Sequence, residues 1–173
     1  MSERFSLALP IAAIRDGDRV DLTADGNECA AIAKRLNVPA VGALKAHAVL
    51  ERDGNSVKAT GRLKANLEQS CVASGEPIAT SVDEPFELHF RPEPNGRPDE
   101  EIELRADDLD VIFHDGSVVP LGDALIDTLA LALDPFPRGP NATSALHEAG
   151  VLSEEEAGPF AALAALKRDK GDA

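Results

Sequence analysis

"SVKATGRLKANLEQSCVA", residues 56–73, decides the fold. Its odd positions are Val57, Ala59, Gly61, Leu63, Ala65, Leu67, Gln69 and Cys71. Its even positions are Lys58, Thr60, Arg62, Lys64, Asn66, Glu68 and Ser70. Side chains alternate across a strand, so this period of two gives one dry face and one wet face. "GALKAHAVLER" (42–52) before it and "SVDEPFELHFR" (81–91) after it alternate in the same way. "DGN" at 53–55 is a hairpin signal, and "SGEP" at 74–77 supplies a second turn. The three runs read as an antiparallel meander with its apolar side toward a core. Gln69 and Cys71 fall on that side, at the strand's end. A buried Gln must find polar partners, and backbone groups at a sheet end are the expected ones.

Working outward, "ECAAIAKRLN" (28–37) places Cys29, Ile32, Ala33 and Leu36 at helical spacing. Asp25 and Glu28 form a capping-box pattern, and Pro39 stops the helix. "RFSLALPIAAI" (4–14) reads as a strand interrupted at Pro10, and "DRVDLTA" (18–24) as a short strand. "PLGDALIDTLALALDPFPRGP" (120–140) reads as a helix opened by Pro120 and ended by Pro135. Leu121, Leu125, Leu129 and Ala132 line one side. Ile126, Leu131 and Leu133 widen it, which predicts deep burial. "RPEPNGRPDEE" (91–101) is a loop, and residues 101–119 hold one or two short strands with acidic turns. Ser153 and Glu156 cap a last helix whose Phe160, Leu163 and Leu166 form a narrow stripe, with Lys167 and Arg168 at its end. No internal repeat is present. The expected architecture is an α+β domain over residues 1–145, with a mainly antiparallel, partly barrel-like sheet packed against two or three helices. Residues 146–173 would form an appended helix, docked on the domain or binding a partner.

The 173 residues suit one domain with a sizeable core. No apolar run approaches the ~20 residues of a membrane span. The N-terminal apolar stretch is short and broken by Pro10, so a cytoplasmic protein is expected. Two cysteines are too few for a disulfide framework, and two reduced thiols are expected. The net charge of -14 is unevenly placed. Residues 1–97 carry 12 Lys/Arg against 14 Asp/Glu, whereas residues 98–173 carry 5 against 17. The second part repels phosphates and attracts basic proteins. With no Trp, no Tyr and only six Phe, stacking platforms for single-stranded RNA are scarce.

Signals for catalysis are weak. There is no C-x-x-C, no G-x-S-x-G, no phosphate-binding glycine loop and no H-E-x-x-H. His47, His89, His114 and His147 are scattered. His47 and His89 can share the wet face without a third ligand type nearby. The pair Asp107–Asp108 lies in a charge-dense stretch where solvation explains it. Cys71 has neither a base nor a cationic or helix-terminus setting, so it reads as a packing thiol. No metal and no cofactor are expected, and no small-molecule substrate is evident. One constellation remains. Lys58, Arg62 and Lys64 project together on the wet face, with Lys45 across on the neighbouring strand. Alternate strand residues are about 6.6 Å apart, which suits RNA phosphates. The competing reading is an ordinary solvated sheet face.

These residues also carry a resemblance. "GRLKANLEQSCVASGEPI" (61–78), then the strand ending "FELHFRP" (86–92), then "VPLGDALIDTLALALDPFPRGP" (119–140) are similar to the YceD family, described as large ribosomal RNA subunit accumulation proteins. The order of elements agrees, and the resemblance covers most of residues 5–140. It implies a non-enzymatic role in the synthesis, processing or stability of 23S ribosomal RNA. With the charge asymmetry, the expected mechanism is binding of a basic large-subunit ribosomal protein through the acidic second half, with the 45–64 basic face touching pre-ribosomal RNA; the alternative is a chaperone for one large-subunit ribosomal protein that touches no RNA. Many members carry C-x-x-C where this chain has Cys71 and Ser74, which removes a two-cysteine site here. Two stretches follow as candidate sites: Gln69, Cys71, Glu76 and Pro77 at the sheet end, and Asp134, Pro135, Phe136, Pro137 and Arg138 after the helix. A structural reading of the second has the prolines stopping the helix and Phe136 plugging the core. Arg138 has no such obligation and could meet a carboxylate or a phosphate.

Overall fold

A computed structural model describes residues 3–5, 8–93 and 111–151. The chain forms two units. The first joins residues 1–69 and 79–135; the second joins 70–78 with the chain from 136 onward.

The first unit is built on a six-stranded sheet with strand order β1-β3-β4-β5-β6-β7. Its strands are β1 (Glu3–Arg4), β3 (Asp18–Thr23), β4 (Ala40–Asp53), β5 (Ser56–Ser70), β6 (Pro77–Pro92) and β7 (Val111–His114). Two further short strands, β2 (Leu9–Pro10) and β8 (Val118–Val119), pair antiparallel with each other. The meander expected from residues 42–52, 56–73 and 81–91 corresponds to β4, β5 and β6, neighbours in that order; β4 pairs antiparallel with β5, and β3 adds antiparallel to the other side of β4. β1 on β3 and β7 on β6 are parallel. Among the described residues the sheet ends in two edges, β1 and β7, so the partly barrel-like closure expected from the sequence is not observed there. Edge pairing involves only two residues at β1 and four at β7.

Burial follows the period of two. Val57, Ala59, Leu63, Ala65, Leu67 and Gln69 of β5 are buried, while Thr60, Arg62, Lys64, Asn66 and Glu68 are exposed. Gly61 belongs to the inner row for steric reasons. A Cβ there would lie 1.9 Å from the His47 carbonyl oxygen and 2.9 Å from Phe86 Cζ. Between Val41 and Ala43 a β-bulge shifts the register by one residue, so Val41 faces the core opposite Leu67 and Ala43 lies opposite exposed Asn66.

The helix α1 (Gly26–Leu36) begins as the sequence predicts. Asp25 accepts from the Asn27 and Glu28 N–H groups, and Glu28 reaches back to the Asp25 N–H at 3.0 Å. Asn37 closes it in the left-handed conformation. Cys29, Ile32 and Ala33 enter the core. The helix α2 (Leu121–Ala132) adds Leu121, Ala124, Leu125, Ile126 and Leu129 to the same core. Arg35 of α1 bridges Asp123 at 2.5 Å and Asp127 at 2.8 Å, both on α2. These groups are exposed, so the pairs add only about 0–1 kcal/mol each. Leu131 departs from expectation: it is 88% exposed, because burying Leu121, Leu125 and Leu129 turns it to the opposite side. Phe136 is likewise 70% exposed and does not plug the core. The helix ends at Ala132, before Pro135, leaving "DPFPR" as irregular chain on the surface.

The second unit contains the turn 71–76 and the helix α3 (Ala142–Glu148). That helix spans the 145/146 position expected as a boundary. The helix expected from Ser153 onward, most of the 91–101 loop and the Asp107–Asp108 pair lie outside the described residues.

Candidate functional site

The wet face of the sheet places the predicted cations in one row. Lys58, Arg62 and Lys64 project from β5, and Lys45 on β4 lies directly opposite Lys64. The row is less basic than β5 alone suggests, because β6 answers it. Lys58 pairs with Glu87 at 3.1 Å, Lys64 pairs with Asp83 at 3.0 Å, and Arg62 also pairs with Asp83. The Arg62 and Lys64 hydrogen bonds hold the Asp83 carboxyl below its ordinary range. His89 and Lys58 do the same for Glu87. Lys45 has no ion pair among the described residues. His47 and His89 share this face, as predicted. Each meets a different carboxylate: His47 Nδ1 lies 2.7 Å from Asp21, and His89 Nε2 lies 3.0 Å from Glu87. Among the described residues, no group of three His, Cys, Asp or Glu could hold a metal ion.

Gln69 finds the backbone partner its position demands. Its Nε2 donates to the Asp134 carbonyl at 2.9 Å, and its Oε1 accepts from the Thr80 hydroxyl at 3.2 Å. Asp134, two residues beyond α2, is thereby tied to β5 and β6. All buried side-chain polar atoms among the described residues have a partner.

In the second unit, Cys71 is 3% exposed, yet it is more than filler. Its sulfur accepts the N–H groups of Ser74 and Gly139, each at 3.4 Å. The turn around it is closed by Cys71 N–H to the Glu76 carbonyl at 2.8 Å and Gly75 N–H to the Cys71 carbonyl at 2.9 Å. Gly75 adopts φ +73, which a glycine accepts without strain. The Ser74 hydroxyl lies between the thiol and Glu76 Oε2, which it meets at 3.1 Å; with one proton it serves one acceptor at a time. That hydroxyl first, then the N–H groups of Gly139, Ser74 and Ala73, lower the Cys71 thiol to about 6 against the opposing effect of burial. Asn141 donates to both carboxylate oxygens of Glu76 at 3.2 Å, and the Val72 N–H donates to the Pro137 carbonyl at 2.9 Å. The two stretches singled out in the sequence therefore come together here: Val72 meets Pro137 directly, and Cys71 and Glu76 bind Gly139 and Asn141 just beyond the 134–138 stretch. Pro77, Arg138 and Phe136 are exposed in this unit, as are Asp134 and Pro135 in the first. Cys29, by contrast, has its thiol pushed up by burial and by Asp25 and Glu28.

Sequence reasoning missed Asp83 and Glu87 as counter-charges, Ser74, Gly139 and Asn141 as partners of the turn, and buried His114. His114 Nδ1 accepts the Gly116 N–H at 3.0 Å, so Nε2 carries the proton and donates to the Asn55 carbonyl at 3.0 Å. Only the acidic alternation of 83–87 signalled any of these in advance.

An open-sheet α+β domain with an ion-paired face, joined in sequence to a polar turn around one thiolate-favouring cysteine, is the class these observations define. A family model described as "Large ribosomal RNA subunit accumulation protein YceD" matches residues 59–167, and the chain belongs to that family. The match includes Gln69, Cys71, Glu76 and the 134–138 stretch, and it begins after Lys45 and Lys58. No curated protein and no solved structure matches the chain.

Proposed function

We propose that this protein is a non-enzymatic accessory factor in the synthesis, processing or stability of 23S ribosomal RNA, working in the cytoplasm by binding. Family membership over residues 59–167 is the observation that carries the reading. The charge distribution supports a basic large-subunit ribosomal protein as the primary partner. Residues 98–173 hold 17 acids against 5 bases, a field that speeds encounter with a cationic protein and repels phosphate. No cofactor and no small-molecule substrate enter this reading.

Ion pairing on the sheet favours a second reading. Three of the four predicted cations already face Asp83 or Glu87. A chaperone that holds one ribosomal protein and never touches RNA would need nothing more. In the preferred reading the RNA contact is smaller than β5 alone suggests.

Depleting the protein in cells tests the function. The ratio of large- to small-subunit ribosomal RNA should fall and recover when the protein is restored. An unchanged ratio at full depletion contradicts the accessory-factor role.

A further inference from the structure

We infer that the hollow between Lys45, Lys64, Asn66 and Ser81 is a phosphate-binding subsite for single-stranded RNA; this rests on the RNA-contacting form of the proposed function. The hollow has a volume of about 360 Å³ and is lined by Ala43, Lys45, Lys64, Ala65, Asn66, Ser81, Val82 and Asp83. That volume is near the lower end for small-ligand sites, roughly 300 Å³.

Its shape comes from the backbone. The β-bulge at Val41–Ala43 changes the phase of β4 and sets Ala43 opposite Asn66. A small side chain stands where a longer one would fill the space. Ala43 and Ser81 are short, and the long side chains of Lys45 and Lys64 rise beside them.

Its charge comes from the register. Lys45 and Lys64 are direct cross-strand partners. Like charges in that position repel each other unless an anion lies between them. Asp83 is the one carboxylate lining the hollow, and both its oxygens are engaged: Oδ1 with Arg62 and Oδ2 with Lys64. Two cations thus share that carboxylate, and Lys45 beside them has no ion-pair partner among the described residues. The hydrogen-bond donors agree. The Ser81 hydroxyl donates to Asn66 Oδ1 at 3.0 Å, so the remaining polar group of Asn66 is its NH2. The hollow therefore offers ammonium and amide donors, which suit a phosphate oxygen. The overall charge of -14 opposes an approaching strand at long range. Physiological salt screens that field beyond roughly 8 Å, so the local excess of cation governs contact.

The phosphate is assigned to RNA because the same outer row of β5 continues through Arg62 and Thr60 to half-exposed Lys58, placing two further cations along the strand. A backbone phosphate held at Lys45 and Lys64 would run along this row.

The test uses the full chain and a short single-stranded RNA of mixed sequence, with affinity read by fluorescence anisotropy over a range of salt. Lys45→Glu breaks no ion pair among the described residues, so it should stay folded, with an unchanged melting temperature. Lys45→Gln is the neutral companion. Lys34→Glu, an exposed cation on α1, makes the same change in net charge elsewhere. Lys45→Glu is expected to weaken binding by about tenfold and to reduce the slope of log affinity against log salt by about 0.7, while Lys34→Glu leaves both near the parent values. Equal effects of the two reversals, or no RNA binding by the parent protein, overturn the inference. Inorganic phosphate separates the two sources of the anion. If phosphate alone shifts the Asn66 side-chain amide resonance while Lys45→Glu leaves RNA affinity unchanged, the hollow takes free phosphate and the RNA assignment is wrong. None of these results depends on the depletion phenotype, so the subsite can fail while the accessory role stands.

Discussion

The larger unit buries Leu44, Leu50, Leu63, Leu121, Leu125 and Leu129 to 1% exposure or less, whereas the described part of the smaller unit buries only Cys71 and Ala142. One is held by apolar area removed from water, the other by directed hydrogen bonds around a sulfur and a carboxylate. Apolar burial is non-directional and tolerates neighbours that move slightly. A hydrogen-bonded turn depends on a few donors at fixed positions and on the charge state of what they hold. The larger unit should therefore answer to changes of volume, and the smaller one to changes of pH and of single donors.

The largest effect is expected in the sheet core. Phe90 is fully buried on β6, and Phe90→Ala should cost about 4 kcal/mol in denaturant unfolding. A cost below about 1 kcal/mol would show that the core is looser than described. Next is Gly61→Ala, which forces a methyl onto the His47 carbonyl and against Phe86. A loss of about 3 kcal/mol is expected, measured the same way. A neutral result would mean that β4 and β5 separate freely at this point. Gln69→Leu removes both hydrogen bonds of a buried amide, to the Asp134 carbonyl and the Thr80 hydroxyl. About 2 kcal/mol is expected.

The smallest effect on stability, and the most diagnostic for the second unit, concerns Cys71. The folded thiol titrates at about 6, below its ordinary value of 9.0. Folding therefore favours the thiolate. The resulting stabilisation is complete above pH 9 and is lost as pH falls through about 6. Thiolate absorbance in the folded Cys29→Ala variant should rise with a midpoint near 6. Ser74→Ala, which removes the leading cause of the shift, should move that midpoint up. A midpoint near 9 in the Cys29→Ala protein would mean that the N–H groups do not hold the sulfur as described.

Much of the larger unit was legible in the sequence, because its determinants are local and periodic. The alternation of 56–71 assigned every inward and outward side chain of β5, and Asp25 with Glu28 announced the start of α1. What failed was long-range. The outward turn of Leu131 follows from which face of α2 the core selects, and the unbroken apolar run from Leu129 to Leu133 conceals that choice. Phe136 reads as a plug by composition alone, yet it lies beyond the end of α2. The pairing of Arg62 and Lys64 with Asp83 depends on how β5 and β6 align. The sequence names both strands and leaves that alignment open. Cys71 is the clearest case. Its donor Gly139 is 68 residues away, so no spacing rule connects them. Reading the thiol as packing captured its burial and missed the hydrogen-bond donors around its sulfur. The family motifs did mark both stretches that meet around it, without indicating that they meet.

The account's central claim is tested most directly by recovering the tagged protein from growing cells and identifying bound RNA and protein before and after nuclease. It predicts large-subunit precursor RNA before nuclease, and one basic large-subunit ribosomal protein that remains bound after it. Recovery of neither large-subunit RNA nor a ribosomal protein would contradict it.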